Sequence, residues 1–324
     1  MASADPREPG QAQTDDPTPR PTRGAHPRDG RVHRARKADP IVPTVILHGG
    51  AGGIRAPAAR QAVATALAGI ARGAWERLLD GESAVDVAVA ATVELEDNPL
   101  FNAGTGSKLQ RDGGARLSAA LMDGDSECFS GVVNAEGLTN PIVLAAHLQE
   151  ETDRVLCGGG ALDRAMELGL RTGDVRTPEA IRAWRNRVEG FTGTVGVVAL
   201  DEHHRIAAAT STGGRGMERV GRVSDSATVA GNFASAAAGI SCTGVGEDIV
   251  DGALAARLVS MVEAGMALQP AAEALVDRMR HRGWSAGFIA LDRSGHWVAP
   301  TTTDIMYWVA IDGLGEHRFA DPDQ

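Results

Sequence analysis

One threonine of the sequence stands where a polar stretch ends and an apolar strand begins, in Gly193-Thr194-Val195-Gly196. A threonine hydroxyl is a weak nucleophile at neutral pH and needs a neighbouring base. If the bond before Thr194 breaks, its own α-amino group, with a reference pKa of about 8, becomes that base within the same residue. Gly193 suits such a cut because glycine tolerates a strained backbone. The sequence therefore predicts a threonine nucleophile that is activated by chain scission.

Three later segments carry the side chains that such a nucleophile needs. Residues 210–214 end the next predicted strand with hydroxyl residues, and antiparallel pairing would set one of them beside Thr194. Arg222 and Asp225 place a fixed cation and an anion three residues apart, which suits the carboxylate and ammonium groups of an amino acid. Residues 241–247 enter a predicted helix, where a hydroxyl and free N–H groups form an oxyanion hole.

Each of these segments also has a purely structural interpretation. Clusters of serine and threonine most often serve as turn and cap residues. An arginine and an aspartate three residues apart most often form a surface ion pair of little energy. The Gly-Thr pair alone carries no weight, since Gly104-Thr105 repeats it. All four features in order along one part of the chain favour the catalytic interpretation.

Apolar periodicity and turn residues predict the elements that position these side chains. Helices are grouped between strand pairs, which favours layered α+β structure over alternating βαβ units. Ser83, with Asp86 three residues on, predicts a capping box at the start of one helix. The predicted elements are a strand over 42–47, helices over 63–78, 83–96, 140–148, 247–265 and 269–280, and hairpins over 194–210 and 288–299.

Composition limits the class of protein. The 324 residues are 43% apolar, enough for a sizeable core, and the net charge of −10 argues against a general nucleic-acid partner. The sequence has no apolar run of membrane-spanning length and no secretory signal pattern, so no membrane association is expected. Three cysteines make no disulfide framework, which favours a reducing, cytoplasmic location.

The first 40 residues differ in composition from the rest. They hold seven of the 15 prolines and almost no large apolar side chains. Such a segment buries too little surface to offset the entropy of ordering it. We predict a disordered tail over 1–40 and a single domain over 41–324; a basic docking arm is the alternative for the tail.

The stretch HGGAGG at 48–53 invites a nucleotide-binding interpretation. It lacks the third glycine of the dinucleotide fingerprint, because Arg55 stands there, and no phosphate-loop lysine motif occurs. A tight turn with close backbone packing is the favoured interpretation. The nine histidines show no metal-ligand spacing.

Together the motifs resemble the plant-type asparaginase/isoaspartyl peptidase family of N-terminal nucleophile (Ntn) hydrolases. The matching stretches are HGGAGG at 48–53, LEDNPLFNAGTGS at 95–107, LMDG at 121–124, NP at 140–141, GTVGVVALD at 193–201, AAATSTGG at 207–214, GRVSDS at 221–226 and SCTGVGE at 241–247. The resemblance implies a four-layer αββα sandwich. It also implies self-cleavage between Gly193 and Thr194 into an α subunit of 1–193 and a β subunit of 194–324, and an (αβ)₂ assembly.

The resemblance implies a role for each site residue. Thr194 is similar to the family's nucleophile, and Thr212 to the threonine that orients it. Thr243 and the Gly244 N–H resemble the oxyanion hole. The residues that resemble substrate contacts are Arg222 for the carboxylate, Asp225 for the amine, the Gly246 carbonyl, and Asn102 at the border of the site.

The stretch LEDNPLFNAGT is similar to a sodium-binding loop of the family. Backbone carbonyls would hold a structural Na⁺ there, and the resemblance implies no cofactor for catalysis. The carbonyl ligands would come from Leu95, Glu96, Asn98, Phe101, Ala103 and Thr105.

Several positions near the expected pocket depart from the family pattern. Ser118 lies where an M-D-A stretch is usual, Ser224 where a glycine is usual, and 215–233 and 301–305 also differ. The main hypothesis is a self-cleaving hydrolase of β-aspartyl dipeptides or L-asparagine. The alternatives are a diverged hydrolase or acyl transferase with a non-aspartyl substrate, and an uncleaved binding protein that keeps only the fold.

Overall fold

The strands of this computed structural model form two sheets. The structure describes residues 41–187 and 193–319, so the tail predicted over 1–40 lies outside the described residues. The strands are β1 (Thr44–Gly52), β2 (Arg116–Asp123), β3 (Cys128–Glu136), β4 (Val155–Cys157), β5 (Val195–Leu200), β6 (Ile206–Thr212), β7 (Asn232–Ala234), β8 (Ala238–Gly244), β9 (Ala286–Asp292), β10 (Trp297–Val298), β11 (Ile305–Asp312) and β12 (Gly315–Arg318). One sheet has the order β12-β11-β1-β5-β6-β2-β3-β4 and the other β10-β9-β8-β7. Neighbouring strands pair antiparallel, except β3 with β4.

The helices begin largely where the sequence signals place them. They are α1 (Pro57–Leu79), α2 (Ala84–Asp97), α3 (Pro141–Leu148), α4 (Gly158–Glu167), α5 (Pro178–Arg185), α6 (Gly246–Gly252), α7 (Leu254–Glu263) and α8 (Leu268–Arg282), with a 3₁₀ turn at Gly104–Gly106. The predicted cap of α2 is confirmed, because the Ser83 hydroxyl accepts the Asp86 N–H at 3.1 Å. Among the described residues, no helix combines the length and the apolar composition of a membrane span.

Of the four apolar clusters in the described part of the chain, three hold the sheets and most of the helices together. The first, which includes Leu47 and Val197, lies between the larger sheet and α1–α4. The second lies between the two sheets and joins Ile46 and Val198 to Ile289. The third joins the smaller sheet to α7 and α8. Because successive residues of β1 and β5 alternate between the first two clusters, these strands are buried on both faces.

The structure corrects some predicted boundaries. The first strand continues through the glycine-rich stretch to Gly52, with an irregularity in its pairing to β11 between His48 and Ala51, so this stretch is not a separate turn. The helix predicted over 247–265 is divided at Ala253, whose φ of 46° interrupts the helical hydrogen bonds between α6 and α7. Strands β3, β4, β7, β8, β11 and β12 were not predicted. With two largely antiparallel sheets and helices grouped apart from them, the chain is an α+β protein, as expected.

Candidate active site

Thr194 lies at the start of the central strand β5, beside the end of β6. The register pairs Val195 with Ser211, so the preceding position meets Thr212. The Thr194 hydroxyl donates to Thr212 Oγ1 at 3.1 Å, and the Gly214 N–H donates to the same oxygen at 3.1 Å. Both threonines are buried. The hairpin therefore places the two hydroxyls together as the sequence predicted, and the contacts of Thr212 fix the orientation of the Thr194 hydroxyl.

The glycine-rich end of β1 packs against Gly193. A Cβ at Gly50 would lie 2.6 Å from the Gly193 Cα, and Gly50 has a φ of 111°, a conformation that side chains disfavour. Close packing was the favoured interpretation of HGGAGG, and this part of the prediction is confirmed. The stretch packs against the backbone just before Thr194, and no feature of its sequence predicted this contact.

Asn102 forms the opposite wall beside Gly193. A Cβ at Gly193 would lie 3.0 Å from the Asn102 Cβ. The Asn102 amide donates to the Gly214 carbonyl and accepts the Lys108 N–H at 2.9 Å. Both the nitrogen and the oxygen of its side-chain amide are therefore hydrogen-bonded, which fixes the orientation of this residue at the border of the site. The residue before Thr194 is held between Gly50 and Asn102.

Thr243 reaches the same region from β8 of the smaller sheet. Its hydroxyl oxygen accepts the Ala51 N–H at 3.1 Å, and the residue is fully buried. A hydroxyl that accepts one bond keeps its own proton to donate elsewhere. Gly244, next in the chain, has a φ of 143°, and a Cβ there would lie 2.5 Å from the Ala286 Cα. Only a glycine fits this position without moving β9.

Arg222, Asp225 and Gly246 form a second cluster that adjoins Thr243 and Gly244 through the chain itself. A Cβ at Gly246 would lie 2.7 Å from Asp225 Oδ1, 2.9 Å from Arg222 Nη2 and 2.0 Å from the Ser224 hydroxyl. Arg222 and Asp225, which the sequence predicted to bind the carboxylate and the ammonium of an amino acid, thus both lie against Gly246, a third predicted substrate contact. The structure therefore brings these three predicted residues together.

Arg222 is paired with Glu247 rather than with Asp225. Its Nε and Nη2 donate to the two Glu247 carboxylate oxygens at 2.8 and 2.7 Å, along one side of the guanidinium group. The Arg222 side chain is 13% exposed, whereas that of Glu247 is 55% exposed. A side-on pair leaves the Nη1 end of the guanidinium to bind a further carboxylate. Glu247 belongs to the SCTGVGE stretch but was not predicted as a site residue.

Asp225 is buried with one carboxylate oxygen unsatisfied. Oδ1 accepts the Ser224 hydroxyl at 2.7 Å, whereas Oδ2 has no hydrogen-bond partner among the residues that the structure describes. Burial raises the pKa of Asp225 from 3.8 to about 6, and the Ser224 hydrogen bond and the Arg222 charge offset part of this rise. A buried oxygen without a donor is costly, so it favours a cationic ligand. Ser224, a departure from the family pattern, is what orients this carboxylate.

A buried polar network near Thr194 was not predicted from the sequence. His48 Nε2 lies 2.9 Å from the Ser241 hydroxyl, which lies 2.7 Å from the Thr210 hydroxyl. Burial lowers the pKa of His48 to about 3, so its ring is neutral. A Cβ at Gly196 would lie 1.9 Å from Ser241 Oγ, which explains the second glycine of Gly-Thr-Val-Gly. The signal was the histidine before the paired glycines, but nothing local predicted its partners.

Glu96 joins the predicted sodium loop to the strand of Thr212. Its Oε1 accepts the Ser211 hydroxyl at 2.6 Å and the Ile142 N–H at 3.3 Å, and within residues 41–187 and 193–319 its Oε2 has no hydrogen-bond partner. Burial raises the pKa of Glu96 to about 8, against the effect of its hydrogen bonds. The protonated, neutral form therefore prevails at neutral pH.

Backbone carbonyls converge on the 3₁₀ turn of the predicted sodium loop. A Cβ at Gly104 would lie 2.3 Å from the Glu96 carbonyl oxygen, and one at Gly106 would lie 1.9 Å from that of Phe101. The carbonyls of Asn98 and Ala103 each accept one N–H of the loop at 3.1 Å. In the described part of the chain, no group of His, Cys, Asp or Glu side chains is arranged to hold a metal ion. A cation in this loop would depend on carbonyl oxygens, which suit hard cations.

Comparison with known proteins gives one consistent result. The sequence model described as Asparaginase matches residues 41–191 and 184–320. A Synechocystis protein named isoaspartyl peptidase/L-asparaginase is 44% identical over 79% of this chain and 84% of its own length. A Nostoc protein of the same name is 39% identical over 84% of this chain and 93% of its own. A plant-type L-asparaginase of Pyrococcus abyssi is 34% identical over 84% of this chain and 97% of its own.

The buried Glu96 carboxyl predicts a pH dependence of stability that Glu96→Gln removes. The folded pKa of about 8 lies above the ordinary glutamate pKa of 4.5, so between these values the folded chain binds more protons than the unfolded chain. The free energy of unfolding of the wild type, relative to Glu96→Gln, should fall as pH rises from about 5 to 8, by roughly 1 kcal/mol per pH unit. Urea denaturation at several pH values measures this difference.

The control for this prediction is Glu76→Gln, at an exposed position of α1. This variant should keep the pH profile of the wild type. A constant stability difference between wild type and Glu96→Gln across the window would contradict the prediction.

Proposed function

The chain belongs to the asparaginase family, and from that premise we propose that it is a self-cleaving amide hydrolase that acts on β-aspartyl dipeptides and L-asparagine through Thr194. The observation that carries this proposal is the buried hydroxyl pair of Thr194 and Thr212, placed directly after the backbone that Gly50 and Asn102 confine. A nucleophile and its orienting partner thus lie at the one position where chain scission would free an adjacent amine.

Self-cleavage would begin with the Thr194 hydroxyl. Its oxygen attacks the Gly193 carbonyl carbon, the C–N bond breaks, and the hydroxyl proton ends on the leaving nitrogen. Water then hydrolyses the resulting ester, which releases the Gly193 carboxylate and leaves Thr194 with a free α-amine. The Thr243 hydroxyl would support the negative charge that develops on the carbonyl oxygen, because the bond it accepts from Ala51 leaves its own proton free to donate.

Hydrolysis of the substrate would use the same groups. The open end of Arg222 holds the α-carboxylate, and the unsatisfied oxygen of Asp225 holds the α-ammonium. The Thr194 hydroxyl then attacks the side-chain amide carbon, while its α-amine takes the proton and passes it to the leaving nitrogen. Water hydrolyses the acyl-enzyme and releases aspartate.

Other features of the family follow as parts of the proposal. The three apolar clusters support a four-layer αββα sandwich of the Ntn-hydrolase type. The carbonyls around Gly104 and Gly106 support a structural Na⁺ in the loop that carries Asn102. We also propose an (αβ)₂ assembly, catalysis without a cofactor, and a cytoplasmic location; three unpaired cysteines support the last of these.

Thr194→Ala should abolish turnover. The wild type should release aspartate from β-aspartyl-leucine, and the variant should lose at least about 10³-fold in kcat because it lacks the nucleophile. The matched control Thr65→Ala removes an exposed hydroxyl from α1 and should retain full activity. A coupled aspartate assay decides the matter: a wild type that releases no aspartate, or a Thr194→Ala variant that does, refutes the proposal.

Protonation of Asp225 should contribute to the loss of kcat/KM at acidic pH. Its carboxylate must be ionised to hold an ammonium group, and its pKa in the free protein is about 6. The α-amine of Thr194 also has to be neutral, so log kcat/KM should fall with a slope approaching two below about pH 6. Asp225→Asn should have lower activity and a slope of one. Equal limiting slopes in the two proteins would rule out this role of Asp225.

Gly50→Ala should slow self-cleavage by at least tenfold. The added methyl would lie 2.6 Å from the Gly193 Cα in a backbone conformation that alanine disfavours, and strain of this kind costs roughly 1–3 kcal/mol. Gly69→Ala is the matched control, because no atom lies within 4 Å of a Cβ at that position of α1. The two variants are compared by gel after timed expression, with thermal unfolding to confirm that both fold. Cleavage of Gly50→Ala at the wild-type rate would show that the close packing is unimportant.

A further inference from the structure

A pocket lined by arginines opens beside Arg222. It has a volume of about 400 Å³. Its charged lining consists of Arg111, Arg215, Arg219, Arg222, Glu218 and Glu247. Arg222 belongs both to this pocket and to the cluster with Asp225 and Gly246, so the pocket is continuous with the proposed amino-acid anchor.

The two carboxylates of the pocket do not neutralise its outer arginines. Glu247 is engaged by Arg222 on both of its oxygens. Glu218 is 2% exposed, and its Oε1 is turned towards the backbone, 2.0 Å from where a Cβ of Gly214 would lie. Arg215 and Arg219 are exposed, and within residues 41–187 and 193–319 neither guanidinium group has a hydrogen bond or an ion pair.

The pocket has an excess of positive charge, whereas the whole chain has a net negative charge. The sequence has 42 acidic and 32 basic residues, yet four guanidinium groups meet in one small pocket. The effect is already seen at Glu247, whose pKa lies below its usual range through its hydrogen bonds to Arg222 and the nearby charge of Arg215. A concave site whose lining has an excess of one sign of charge concentrates the field on a ligand that enters it.

We propose that this pocket is a carboxylate subsite, which selects β-aspartyl peptides whose leaving group carries an acidic side chain. The inference rests on the proposed function. In that function the aspartyl part of the substrate uses its own carboxylate on Arg222 and its ammonium on Asp225. A further negative charge that meets Arg215 and Arg219 must therefore come from the leaving group. Its α-carboxylate is common to all dipeptide substrates, so an acidic side chain is the charge by which these arginines can distinguish one leaving group from another.

The test compares two dipeptides that have the same shape and differ by one charge, β-aspartyl-glutamate and β-aspartyl-glutamine. The wild type should hydrolyse the glutamate dipeptide with a kcat/KM roughly fivefold higher, the size expected for two exposed charge contacts. In the double variant Arg215→Gln/Arg219→Gln this ratio should fall to about one. The preference should also weaken with added salt, since exposed charges are screened.

The matched control is Arg280→Gln/Arg282→Gln, which removes the same charge from exposed positions of α8. It should keep the wild-type ratio, whereas a control that loses the ratio assigns it to net charge alone and overturns the subsite. A wild-type ratio near one, or an equal ratio in the wild type and Arg215→Gln/Arg219→Gln, also overturns it.

Measuring how tightly the two dipeptides bind tests the carboxylate subsite independently of the proposed catalytic function. If neither dipeptide is hydrolysed, the proposed function fails. The preference is then measured as the ratio of the Kd values of the two dipeptides, by calorimetric titration of the wild type and of Arg215→Gln/Arg219→Gln. A preference for the glutamate dipeptide that disappears with the two arginines supports the subsite even then. Equal binding of both dipeptides refutes it.

Discussion

The position of β5 between β1 and β6 is the constraint on which the site depends. Both neighbours pair antiparallel with β5, so the residue at its start lies beside the end of each of them. Strand β6 contributes the Thr212 hydroxyl, which bonds Thr194, and β1 contributes Gly50, whose backbone packs against Gly193. Strand pairing thus supplies the partner that orients Thr194 and the wall that confines Gly193, with no need for a flexible loop to place either.

Burial then sets the charge state of the groups around this strand. The neutral ring of His48 bonds Ser241, and the protonated Glu96 bonds Ser211, so neither residue brings an unpaired charge into the interior. Asp225 differs, because its pKa of about 6 leaves it ionised at neutral pH although one oxygen lacks a donor. An ammonium group bound there would relieve the energetic cost of that arrangement, which supports the proposed role of Asp225 in holding the α-ammonium of the substrate.

Local sequence signals were sufficient for most helices and for the catalytic hairpin. The cap at Ser83 and the hairpin that ends at Thr212 involve residues close in the chain, so their patterns are visible in a single stretch. Strand β11 was missed because it is defined by pairing with β1, more than two hundred residues earlier. The division of the helix at Ala253 depends on tertiary contacts, because the N–H groups of Ala255 and Ala256 donate to the carbonyls of Ala230 and Val229.

The site could be predicted as a set of residues but not as a set of contacts. The family motifs brought forward Thr194, Arg222 and Asp225, yet Glu247 as the partner of Arg222 appears only in three dimensions. The glycine-rich stretch at 48–53 shows the same limit. Its glycines indicated close packing, but only the fold shows that Gly193 is what they pack against.

Intact mass spectrometry of the purified wild-type protein tests the central claim most directly, because every catalytic role above requires a free amine on Thr194. We expect two polypeptides, of which the smaller spans 194–324 and begins with threonine, while protein with alanine at that position stays whole. A wild-type protein that remains a single chain of full mass, with no new N-terminal threonine, would contradict this account.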